Sequence, residues 1–179
     1  LPAVSACNGS PHPPNTAPPL VPSPSPAAPS LINDVALTPA GAWFTNSFQP
    51  ELYFVPITTG HPGPFTTLHL SGPAAAAPPG EINNNGIQAT SDGSTLIVAH
   101  SSSGALNAVN PKTGASRTIE GLALPNVDGI LMEGRTLYAV QNFVNQIAEV
   151  RLNRDLTSGS VRQVIKGSLV EVPQTGAGF

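Results

Sequence analysis

The sequence predicts an all-β protein: a partial, open β-propeller of about three to four four-stranded blades. Three observations point there. From Leu31 onward, apolar and β-branched residues alternate with polar ones in short runs, the period of antiparallel strands. Gly, Pro, Asn and Asp break these runs at intervals of about ten residues, the rhythm of a sandwich, barrel or propeller. One pattern then recurs three times in the same order, and units of about 40 to 50 residues mark propeller blades.

Residues 1–30, LPAVSACNGSPHPPNTAPPLVPSPSPAAPS, form the first predicted region, a Pro-rich disordered arm. Such a segment buries too little apolar surface to offset the entropy of ordering it. Residues 31–179 form the second, the propeller domain. Its first passage, NDVALTPAG, begins at Asn33 and reaches Gly41 eight positions on; NGIQATSDG runs likewise from Asn85 to Gly93. The third, NVDGILMEG, ends at Gly134, eight positions after Asn126 and six after Asp128. An apolar strand follows each (AWFTNS, STLIVAH, TLYAVQ), then a turn and another strand (ELYFVPI, ALNAVN, QIAEVRL). Asn33 and Asn85 lie 52 positions apart, Asn85 and Asp128 43. The longer first interval is assigned to an insertion, HPGPFTTLHLSGPAAAAPPGEI, whose PAAAAPPG stretch is predicted as loop.

Composition narrows the function. Only 9% of residues are charged and the net charge is -3, against about 25% charged in an ordinary domain. Nothing here attracts nucleic acid or an anionic membrane. No run of about 20 apolar residues exists to cross a bilayer. Cys7 has no partner cysteine in the sequence. Two lysines (Lys112, Lys166) among many small polar residues favour a secreted protein, although LPAVSAC is too short for a signal peptide. In such a setting NGS at residues 8–10 is a glycosylation acceptor.

In a propeller the first strand of each blade lines one central channel, so residues that open successive passages converge. Asn33, Asn85 and Asp128 hold those places, and their oxygens suit a hard divalent cation, calcium first. The third position has two claimants: spacing to the glycine favours Asn126, the Asp-Gly-apolar context Asp128. Asn142 and Asn145 are candidates for turn residues near the channel. His61, His69 and His100 sit off the repeated positions, which disfavours zinc or copper. Ser101, Ser102 and Ser103 lack a nucleophile-elbow pattern and are predicted as a hairpin turn.

The passages NDVALTPAGAWFTNS, NGIQATSDGSTLIVAHSSSGALNAVNPKTG and VDGILMEGRTLYAVQN resemble three successive blades of the senescence marker protein, gluconolactonase and luciferin-regenerating enzyme family, and in particular an uncharacterised secreted branch of it. The resemblance covers about residues 31–175. It implies a six-bladed ring with one divalent cation held by a Glu, two Asn and an Asp, and metal-assisted hydrolysis of a lactone or ester. Asn33 and Asn85 map onto the two Asn ligands and Asp128 onto the Asp, which also acts as catalytic acid or base. The Glu has no counterpart, because its blade would precede Asn33.

Three repeats and the start of a fourth at SLVEVPQTGAGF do not close six blades. A fragment, a degenerate product or self-association through the open edges is therefore expected. The rival functional expectation is a secreted, non-catalytic propeller that binds a protein or glycan through its loops.

Overall fold

A computed structural model describes residues 29–167. The Pro-rich stretch through residue 28, with Cys7 and the NGS acceptor, and the predicted fourth-repeat start at 168–179 lie outside the described residues.

Among the described residues thirteen strands form three antiparallel sheets, the second and third of them simple meanders in chain order. The first blade contains β1 (Ile32–Thr38), β2 (Gly41–Asn46), β3 (Glu51–Thr58), the two-residue β4 (His61–Pro62) and β5 (Thr66–His69). Both β4 and β5 pair with β3. The second blade is β6 (Asn84–Ala89), β7 (Leu96–His100), β8 (Ala105–Val109) and β9 (Ser116–Thr118). The third is β10 (Ile130–Glu133), β11 (Thr136–Gln141), β12 (Gln146–Leu152) and β13 (Gly159–Lys166). The predicted insertion turns out to be partly structural. Its TTLH segment is β5, the outer strand of the first blade, and Pro73–Ala75 within PAAAAPPG is one turn of 3-10 helix.

The repeated glycines close the hairpins between the first and second strand of a blade. Gly93 and Gly134 sit at φ 68° and 61°, the left-handed region that costs glycine no Cβ clash.

Two apolar layers hold the blades together. Trp43, Leu52, Ile87, Leu96, Val98 and Val109 pack between the first and second blades. Ile97, Ala99, Leu106, Ile130, Leu137 and Val150 pack between the second and third. Leu96–His100 explains its own sequence. Leu96 and Val98 face one layer and Ile97 and Ala99 the other, so every residue of the strand is buried and the run from Leu96 to Ala99 is continuously apolar. Fully burying a side chain such as Ile97 is worth roughly 1.5–3 kcal/mol. Among the described residues the outer blades are covered by a neighbouring blade on one side only: β11 alternates buried Leu137, Ala139 and Gln141 with less buried Thr136, Tyr138 and Val140.

Candidate functional site at the channel mouth

The first strands of the blades lie side by side at the channel, and one hydrogen-bonding device recurs where they begin. At the end of β2, the Ser47 hydroxyl donates to the Asn84 carbonyl of the next blade (2.8 Å) and accepts from Asn33 Nδ2 (3.0 Å). One blade on, the Ser101 hydroxyl donates to the Val127 carbonyl and accepts from Asn85 Nδ2 (3.0 Å). In the third blade the same place is taken by Asn142, whose Nδ2 donates to Asp128 Oδ2 (2.7 Å). Each channel residue is thus latched to the residue just past its blade's second strand. That latch makes Asp128, rather than Asn126, the structural equivalent of Asn33 and Asn85. Asn126 sits two positions earlier in a left-handed turn, φ 56°.

The latches fix more than position. A serine hydroxyl has one proton, and Ser47 and Ser101 each give theirs to a backbone carbonyl of the following blade. Toward their asparagines they can only accept. Asn33 and Asn85 must therefore turn their amide nitrogens to the serines, which leaves the amide oxygens on the other side. None of the hydrogen bonds among the described residues engages Asn33 Oδ1, Asn85 Oδ1 or Asp128 Oδ1.

Two adjoining clefts share these three residues. One, about 420 Å³, also takes in Glu81, Ile82, Asn126 and Phe143. The other, about 700 Å³, runs from Asn33, Asn85 and Asp128 along Ile130, Leu131, Tyr138 and Val140 of the third blade. The residues predicted from the repeat therefore do come together. Asn33 is exposed, Asn85 is buried and Asp128 is half-buried.

Other polar groups here serve the backbone. Asp34 Oδ1 accepts from its neighbour Val35 N–H (2.8 Å) and Oδ2 from Ile87 N–H of the second blade (3.0 Å), so both oxygens are engaged. The buried Thr45 hydroxyl accepts from Asp34 N–H (3.1 Å) and donates to the Asn85 carbonyl (2.7 Å). A further set lies one residue before each latch. Asn46, His100 and Gln141 are all buried. His100 Nε2 bonds the Ala76 carbonyl (2.7 Å) and Gln141 Nε2 the Pro125 carbonyl (2.7 Å), each anchoring the loop that leads into or out of its blade. His100 is thus a structural residue; His61 and His69 are exposed on the first blade's outer strands. Asn145 is a turn residue, φ 48°, and its N–H bonds the Asn142 carbonyl.

Among the described residues no group of three or more His, Cys, Asp or Glu side chains is placed to hold a metal ion. The donors at the mouth are two amides and one carboxylate, a set that suits a hard cation.

No protein-family model matches the sequence, and no curated protein matches it. Solved structures do match. Glutaminyl cyclase from Myxococcus xanthus superposes with a TM-score of 0.56 at 14% identity, over 78% of this chain and 54% of its own. The fold is that of a β-propeller. Virginiamycin B lyase from Staphylococcus aureus follows with 0.51 at 16% identity, over 77% of this chain and 42% of the lyase. A candidate 6-phosphogluconolactonase from Bacteroides uniformis gives 0.50 at 17% identity, over 70% and 37%. At these identities the likeness shows the fold alone, and this chain spans about half or less of each structure.

Proposed function

We infer that the mouth formed by Asn33, Asn85 and Asp128 binds one divalent cation, calcium by the hardness of its donors, and that the reaction it serves is hydrolysis of a lactone or ester. The orientation of the two asparagines carries this reading. Ser47 and Ser101 hold the amide nitrogens away, so two carbonyl-type oxygens and a carboxylate oxygen are left to face one opening. The candidate lactonase among the structural matches agrees with it at the level of fold.

When bound, such a cation supplies Lewis-acid polarisation of a carbonyl. The chain's own residues do the rest. Asn33 and Asn85 contribute neutral oxygens and Asp128 the only carboxylate among the three. Asp128 Oδ2 is held by Asn142, so Oδ1 is the atom placed to take or deliver a proton. Ile82 and Phe143 are the apolar side chains among the residues lining the cleft. With one carboxylate and two amides, affinity falls in the weak range of extracellular calcium modules, roughly 10⁻⁴–10⁻³ M. A secreted setting belongs to the same reading.

The test is a lactone and ester panel assayed with millimolar calcium and with chelator. Hydrolysis that disappears with chelator and in Asp128→Ala is the expected result. Turnover that survives both would move the chemistry away from this opening.

A further inference from the structure

Among the described residues the stack ends in two blade faces that no other blade covers, and the chain itself displays what such faces meet. Phe44, Val98 and Ala139 are equivalent: each lies three residues before its latch residue and pairs across its hairpin, with Tyr53, Asn107 and Ala148. Val98 packs back onto the first blade and Ala139 back onto the second. Phe44 therefore faces the side where a preceding blade belongs. Trp43, Ile97 and Tyr138 are equivalent in the same way but point forward. Trp43 packs on the second blade and Ile97 on the third, while Tyr138 lies half-buried on the third blade's other face, lining the larger cleft. The two free faces are thus the two halves of a contact the chain already makes twice.

Both free faces are built for cover. On the first blade, Leu37 is 74% and Val35 45% exposed beside an all-apolar cleft of about 230 Å³ formed by Ile32, Phe44, Tyr53, Val55 and Phe65. On the third blade, Leu131 is 61% exposed beside Tyr138, Val140, Ile147 and Ile165. Faces this apolar mark interaction sites. The latch series also has a free end. Ser47 and Ser101 reach the carbonyls of Asn84 and Val127 in the next blade. Asn142 is third in the series, and Ile32, at the opposite end of the stack, holds the place of Asn84 and Val127.

We propose that the chain pairs with a second copy of itself, the third blade's open face of each copy docking on the first blade's open face of the other. Docking in both directions gives a closed twofold pair and covers both of these faces. A second copy is the occupant because it presents both complementary faces together with the Asn142 and Ile32 ends of the latch series. The pair also walls in the channel mouth on its open side. The proposal does not depend on cation binding or catalysis.

Light scattering coupled to size-exclusion chromatography of the full 179-residue chain tests it. The expected mass is twice that of the 18.2 kDa chain. Leu131→Glu alone and Leu37→Lys alone, both at exposed positions, each give monomer with an unchanged β-sheet circular dichroism spectrum. Mixed in equal amounts, the two variants regain the dimer, because one contact is then wild type and the other pairs Glu with Lys. A monomeric wild type, a dimer that survives either single substitution, or a mixture that stays monomeric would overturn the proposal.

Discussion

The two interfaces between blades share a latch and differ in what lies beneath it. Between the first and second blades, side chains span the gap: Asp34 accepts the Ile87 N–H and Thr45 the Asp34 N–H, and Thr45 donates to the Asn85 carbonyl. At the same level between the second and third, the first strands bond backbone to backbone, Gly86 N–H donating to the Asp128 carbonyl at 2.9 Å, whereas direct backbone bonds between the first and second blades lie elsewhere, such as Asn83 N–H to the Ser47 carbonyl at 3.0 Å. One sequence position decides between these solutions. It is Asp34 in the first repeat, Gly86 in the second and Gly129 in the third. A side chain there bridges to the neighbouring strand's amide; its absence lets the two backbones bond. The Asp-to-Gly change within one repeat is therefore a change of interface chemistry, although both residues belong to ordinary turn composition.

That comparison breaks most visibly at Gly86. A Cβ there would lie 2.4 Å from the Asp128 carbonyl oxygen and 2.8 Å from Ile130 N, both backbone atoms that cannot swing aside. Gly86→Ala should cost about 3 kcal/mol, read as a lower urea midpoint. It should also displace Asp128 from the mouth. Thr45→Val probes the other interface at nearly constant volume. It leaves the Asn85 carbonyl and the Asp34 N–H without their partner, so about 1–2 kcal/mol is expected in the same measurement. An equal loss in the two variants would erase the distinction between a packed backbone contact and a side-chain bridge.

Asp92 supplies the smallest effect, outside both interfaces. Its exposed carboxyl is lowered from 3.8 to about 2, chiefly by the Thr90 hydroxyl and then by the Ser94 N–H. A depressed acid stabilises the fold above its unfolded value, and that contribution fades as pH falls from about 4 toward 2. Asp92→Asn should flatten stability slightly in that window and leave pH 7 binding at the mouth unchanged. A carboxyl titration of Asp92 by NMR near 4 would remove the effect.

The sequence made the channel positions legible because turn residues recur where each blade begins. Period-two strands separated by Gly and Asn then fixed the fold class. The ambiguity between Asn126 and Asp128 had a physical source. The loop from the channel residue to the hairpin glycine is two residues shorter in the third blade, so spacing pointed to the wrong residue while local context pointed to the right one. The latches were hidden. Ser47 and Ser101 stand 14 and 16 positions after their asparagines, and the third member is an asparagine rather than a serine. A serine hydroxyl in a turn carries no mark of the carbonyl it will reach in another blade. The first blade's outer strand was hidden too, because TTLH sits among prolines that resemble loop, yet it completes its pairing on β3.

The central claim is that the latched residues turn their oxygens into one shared opening. Calorimetric titration of calcium into the chain tests it directly, with Asn85→Ala and Asp128→Ala alongside. The account predicts one saturable site that weakens at least tenfold in each variant. No heat of binding at millimolar calcium, or binding unchanged by both substitutions, would contradict it.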